Sequence, residues 1–136
     1  MGRCAVIFNH AAQMRFSDTD AMGHVNHGRF LTYLEDARVA LFAATGDANL
    51  AAVGVILARA EVDYRRPLML SAQPVNVSVW VAEIGTKSFT LDYELEHEGE
   101  IAAQARTVIV GFDYAAQRSR VLTDLERAAL ERWRKG

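Results

Sequence analysis

Between Val25 and about Ala44 the apolar residues Phe30, Leu34, Ala37 and Leu41, flanked by Leu31, Ala40 and Ala44, recur at helical spacing. After it the main patterned stretches alternate with period two, so the chain must place one long helix against a sheet built from its own hairpins. About 20 residues of helix rise roughly 30 Å, enough to cross the face of a twisted sheet. Gly46 provides the stop. Hairpin-spaced strands need no crossovers, so the expected class is α+β with an antiparallel sheet of about five strands.

The strands can be read in turn. Ala12, Met14 and Phe16 alternate with Gln13, Arg15 and Ser17 ahead of the helix. Asp47 to Gly54 reads as a loop with room for a helical turn. Beyond it, Ile56, Ala58, Ala60, Val62 and Tyr64 alternate with Leu57, Arg59, Glu61, Asp63 and Arg65, a strand with a polar face. Val75, Val77, Val79 and Val81 give the next strand, and Phe89, Leu91, Tyr93 and Leu95 another, joined through Gly85-Thr86-Lys87. His97-Glu98-Gly99-Glu100 turns the chain into Ile101 to Phe112, which is apolar on both faces, as suits a central strand or one covered by a partner subunit. Thr123 with Glu126 makes a capping box, and Leu125, Ala129 and Trp133 follow at four-residue spacing, so a short C-terminal helix is expected to pack on the sheet.

A length of 136 residues and a hydrophobic fraction of 51% suit one domain spanning 1–136. Both prolines, Pro67 and Pro74, flank a turn-like segment between strands, and no linker or repeat divides the chain. A net charge of −2 offers no broad basic field for nucleic acid. The single cysteine, Cys4, cannot close an intramolecular disulfide, and the apolar opening Cys4 to Phe8 is too short for a signal-peptide core or a membrane span. The expectation is a soluble cytoplasmic protein with no membrane partner.

Chemistry concentrates in Arg15 to His27, where Asp18, Asp20, His24 and His27 surround Gly23 at the join of strand and helix. The first turn of a helix presents unpaired N–H groups and the positive end of its dipole, which favour an anion or a polarised carbonyl. The run Asp18-Thr19-Asp20-Ala21-Met22-Gly23-His24-Val25-Asn26, with Phe30, Tyr33, Leu34 and Glu35 following, resembles the signature of the 4-hydroxybenzoyl-CoA thioesterase family. Members are hot-dog fold acyl-CoA thioesterases, and the resemblance extends more loosely to about Asp113. It implies a sheet wrapped around the long helix, Asp20 as the catalytic carboxylate, and the His27 backbone N–H as the group polarising the thioester carbonyl. It also implies that Lys87-Ser88-Phe89 lies near the CoA nucleotide and pantetheine, and that the protein is a dimer or a dimer of dimers.

The candidate catalytic residues are therefore Asp20, His27, His24 and Asn26, and the candidate substrate-binding residues are Gly23, Tyr33, Lys87, Ser88 and Arg65. Asp18 is the plainer member of the acidic pair, suited to a turn or helix start. His24 can orient water or Asn26, or simply cap the helix, with equal weight on the two readings. Asn26 most simply caps the helix or holds Asp20. Tyr33 could line an acyl pocket, although an aromatic at helical spacing is more often core. Arg65, Arg66, Arg118 and Arg120 are candidates for the CoA phosphates, and Glu35 with Arg38 reads as a solvated pair. His10, His24 and His27 are joined by no cysteine, and His24 and His27 alone supply too few ligands for a zinc site of three or four, so no metal and no cofactor is expected.

The reading is hydrolysis of an acyl-CoA thioester, with Asp20 as nucleophile or as the base that activates water. Two alternatives stand beside it: a hot-dog dehydratase of hydroxyacyl thioesters, for which no acid and base pair is evident, and a non-catalytic binder of CoA or an acyl carrier.

Overall fold

The computed structural model describes residues 7–46, 50 and 54–135; Cys4 and most of the expected Asp47 to Gly54 loop lie outside the described residues. Strand β1 (Phe8–Ala12) leads through a 3-10 turn (Phe16–Asp18) to helix α1 (His27–Ala44). Strands β2 (Val55–Tyr64), β3 (Val75–Ile84), β4 (Ser88–His97) and β5 (Glu100–Asp113) follow, then the short β6 (Arg118–Ser119) and helix α2 (Asp124–Glu131). The sheet runs β1-β3-β4-β5-β2 with antiparallel neighbours, and β6 extends from β5. This is the hot-dog arrangement, one long helix lying across an antiparallel sheet.

Helix α1 buries Phe30, Tyr33, Leu34, Ala37 and Leu41 against Val75, Val77, Val79 and Val81 of β3 and Phe89, Leu91, Tyr93 and Leu95 of β4. The strict alternation of β3 and β4 follows from a sheet with one dry face; each fully buried aliphatic or aromatic side chain contributes about 1.5–3 kcal/mol. Thr45 closes the helix and Gly46 (φ +67°) turns the chain away. Between β4 and β5, Glu98 (φ +52°) and Gly99 (φ +81°) make a two-residue hairpin turn of the kind whose twist matches the strands. Among the described residues no helix is long and apolar enough to cross a membrane.

Four expectations are corrected. The first strand lies upstream, at Phe8–Ala12, and the alternation ends where the backbone winds into the 3-10 turn; Ala12 and Met14 are buried but Phe16 is 82% exposed. In β2 the register shifts between Leu57 and Arg59, so Ala58 is an extra residue. Such a bulge moves the residues before it to the other face: Leu57 lies opposite the buried Ile109, whereas Ile56 shares the outer face with Val110. In α2 the buried residues are Glu126, Ala129 and Leu130, while Leu125 is exposed. Finally, Arg38 is not solvated: its guanidinium is buried, donates to the Tyr93 hydroxyl at 3.3 Å, and lies 3.9 Å from the exposed Glu35.

Strand β5 sits inside the sheet between β4 and β2, although the middle strand is β4; Ile109 on its inner face is buried, and Val108 and Val110 on the outer face are half-buried. Strand β2 is the outer strand on that side, and Ile56, Leu57 and Tyr64 are exposed there.

Candidate active site

Asp20 sits in a short loop that folds back on itself before α1. Its N–H donates to the His24 carbonyl (2.8 Å), and Gly23 N–H returns to the Asp20 carbonyl (3.0 Å). Gly23 at φ +80° makes this turn accessible, because the left-handed region costs other residues about 1–2 kcal/mol. The Asp20 carboxylate is exposed, and its Oδ1 accepts from the backbone N–H groups of Met22 (2.9 Å) and His24 (3.3 Å). Among the described residues no protein group donates to Oδ2.

Val25 N–H donates to the Leu68 carbonyl (2.7 Å), anchoring the loop to the segment after β2. Asn26 is the N-cap of α1, its Oδ1 accepting from Gly28 N–H at 2.9 Å, and Arg29 N–H donates to the Asn26 carbonyl. That leaves His27 N–H, the first of the helix, without an acceptor among the described residues.

Asp20, His24, His27 and Arg65 line one cavity of about 310 Å³, with Val25, Phe30, Tyr64, Arg66 and Pro67 completing its wall. Tyr64 is the central wall residue. Its hydroxyl donates to the His27 carbonyl (3.0 Å), and its ring lies 4.9 Å from the His27 ring and 5.0 Å from that of Phe30. Arg65 Nε donates to Gln104 (3.2 Å), and Arg66 pairs with Glu100 (2.9 Å).

The other sequence candidates lie elsewhere. Tyr33 is buried, and its hydroxyl donates to Asp18 rather than reaching the cavity. Lys87 and Ser88 form the β3–β4 turn at the far end of the sheet: Ser88 pairs with Val110 and Tyr64 with Ala103, which separates them by about 23 Å along β5. Arg120 is committed, as it grips Glu126 with two bonds of 2.8 Å and donates to the Gly54 carbonyl. Arg118 is an exposed residue of β6. Tyr64 as a site residue was not read from the sequence; the available signal was a strand-ending aromatic just before Arg65-Arg66-Pro67, a run whose proline cannot donate to a continuing ladder.

The sequence model of the Thioesterase-like superfamily matches residues 14–131. A 1,4-dihydroxy-2-naphthoyl-CoA hydrolase of Synechococcus elongatus is 30% identical over 101 residues, covering 70% of this chain and 74% of its own. A thioesterase from Thermus thermophilus, solved with coenzyme A and Zn, superposes with a TM-score of 0.83 at 31% identity over 92% of both chains. A protein described as a predicted thioesterase, from Bacillus stearothermophilus, gives a TM-score of 0.84 at 27% identity, over 96% of this chain and all of that one. With this match over most of its length and a shared hot-dog architecture, the chain belongs to the thioesterase-like superfamily.

Proposed function

We propose that this thioester hydrolase cleaves acyl-CoA, with Asp20 and the start of α1 as its chemical centre. The observation that carries the reading is that the Asp20 carboxylate and His27, whose N–H has no acceptor among the described residues, line the same cavity. A thioester carbonyl directed at that N–H has its developing negative charge met by a preorganised donor and the positive helix end. Either the Asp20 carboxylate attacks the carbonyl carbon to form a mixed anhydride that water then hydrolyses, or Asp20 takes a proton from a water that attacks directly. In both courses the carbon–sulfur bond breaks, CoA leaves as the thiolate and takes up a proton, and the acid is the second product.

The wall of Tyr64, Phe30 and His27 rings favours a planar aromatic acyl group. The aromatic acyl group that the name of the Synechococcus elongatus relative carries supports the same choice. The narrower resemblance to 4-hydroxybenzoyl-CoA thioesterases belongs to the same proposal. Release of free thiol from a panel of aromatic, short, medium and long acyl-CoAs tests it. Turnover is expected, fastest with an aromatic acyl group; absence of turnover on the whole panel rejects the enzyme reading in favour of a binder.

The separation of Lys87-Ser88 from Asp20 within one chain leads to a second element of the proposal. These residues serve the Asp20 of another copy, in an assembly formed through the exposed β2 edge, whose unpaired backbone and side chains of Ile56 and Leu57 invite a partner. Lys87→Ala is then expected to raise KM several-fold with little change in kcat, because contacts to the remote CoA portion bind ground and transition states alike. Light scattering on the same samples completes the test: a fully active monomer, or an unchanged KM, removes this turn from the site.

A further inference from the structure

Asp18, two residues from Asp20, is wholly buried although it is a carboxylate. Its Oδ2 accepts from the Tyr33 hydroxyl (2.8 Å) and the Arg15 N–H (3.0 Å), while its Oδ1 lies 3.4 Å from the Arg15 guanidinium and 3.7 Å from that of Arg29. Its own carbonyl accepts from the N–H of Asn26, the helix cap, at 2.8 Å. One residue thus ties the loop carrying Asp20 to the cap of α1 through its backbone and to the second turn of α1 through its side chain.

We infer that Asp18 is a positioning residue, which with Tyr33 sets the distance and angle between the Asp20 carboxylate and the His27 N–H. The inference rests on the chemical roles proposed above for those two groups. Without the side-chain tie, the loop keeps the Asn26 N–H bond to the Asp18 carbonyl and the Val25 bond to Leu68, both made by backbone, and loses its side-chain hydrogen bond to the second turn of α1. A buried carboxylate such as Asp18, with the Arg15 and Arg29 side chains exposed, is seldom the most stabilising filling for such a space, since an apolar side chain of similar volume often does as well. Its directional bonds instead hold one geometry, and the reaction is sensitive to geometry: a misplacement of 1 Å can cost about a hundredfold in rate.

Tyr33→Phe removes one hydroxyl and keeps the ring in the core. It is expected to lower kcat about tenfold, within the range that misplacement produces, with KM for the best acyl-CoA nearly unchanged. Asp18→Asn keeps an acceptor for Tyr33 and Arg15, so it is expected to lose less than Asp18→Ala, in which both bonds go. Adding Tyr33→Phe to Asp20→Asn is expected to cause no further loss of kcat, because a positioning residue acts only through the group it positions. A merely structural residue would instead lower the active fraction in both backgrounds alike. A second readout needs no activity: hydrogen exchange at the Asn26 amide is expected to quicken at least several-fold in Tyr33→Phe. Unchanged exchange together with unchanged kcat, or an equal loss in the Asp20→Asn background, overturns the inference. If the wild-type protein cleaves no acyl-CoA, the proposed reaction fails by that result, and the exchange measurement alone decides whether Asp18 and Tyr33 hold the loop to the helix.

Discussion

Asp20→Asn is expected to reduce kcat by about 10²–10⁴, the span that a positioned acid or base supplies, while leaving the fold and acyl-CoA binding nearly intact. The structure explains why the change is so selective. The carboxylate's two backbone donors, Met22 and His24 N–H, both meet Oδ1, and an asparagine carbonyl oxygen can accept from both. What disappears is the negative charge and the second carboxylate oxygen on the cavity. Steady-state kinetics on the best acyl-CoA, with a thermal melt of the same sample, checks the prediction. Wild-type turnover in the variant would overturn the assignment. Asp18→Asn is expected to be much milder, because Asp18 has no access to the cavity. In ¹⁸O-labelled water, a single turnover leaves the product acid unlabelled if the Asp20 carboxylate attacks directly and water then opens the anhydride at the aspartyl carbonyl, and labels it if water attacks the thioester.

The largest expected effect on stability is at Glu126. This carboxylate is 1% exposed and accepts from Arg120 twice and from the Thr123 N–H, all at 2.8 Å, closing the capping box of α2. Breaking a buried pair by removing one partner costs about 3–5 kcal/mol. Glu126→Ala is therefore expected to lower Tm by roughly 10 °C or more, at about 3 °C per kcal/mol for a chain of this size, as calorimetry would read. The pH dependence follows from the same contacts. Burial by itself would raise the Glu126 carboxyl, but the Arg120 guanidinium and the Thr123 cap outweigh it and hold the group below its ordinary value of 4.5. Burial likewise raises Asp18, and the Tyr33 hydroxyl with Arg15 brings it below 3.8. A depressed carboxyl stabilises the folded state fully above its unfolded pKa and loses that contribution as pH falls through the folded one. Acid should thus destabilise the wild type below about pH 4.5, with Glu126→Ala showing a shallower slope.

The outcome at each residue shows how far local pattern reaches. The helix at Phe30, Leu34, Ala37 and Leu41, the hairpin at Glu98-Gly99 and the capping box of Thr123 and Glu126 are written in spacing and turn chemistry over a few residues, and they form as read. The face of β2 is not, because a bulge at Ala58 changes no composition yet reverses which neighbours point inward. Arg38 and Arg120 look like ordinary surface cations in sequence; only the packed structure brings Tyr93 to one and Glu126 to the other.

The same division governs the site. By itself the sequence determined that Asp20, Gly23, Asn26 and His27 share one loop and one helix start, because contacts within a dozen residues are fixed by turn and cap geometry. It likewise determined that one helix would cross an antiparallel sheet. Only the tertiary structure decided that Tyr64, Arg65 and Arg66 from the end of β2 wall the cavity, and that Lys87 and Ser88 lie at the other end of the sheet. It also decided that Tyr33 turns its hydroxyl to Asp18. The reason is physical: these neighbours are set by strand register and by where burial must satisfy a polar group, and both depend on residues dozens of positions apart.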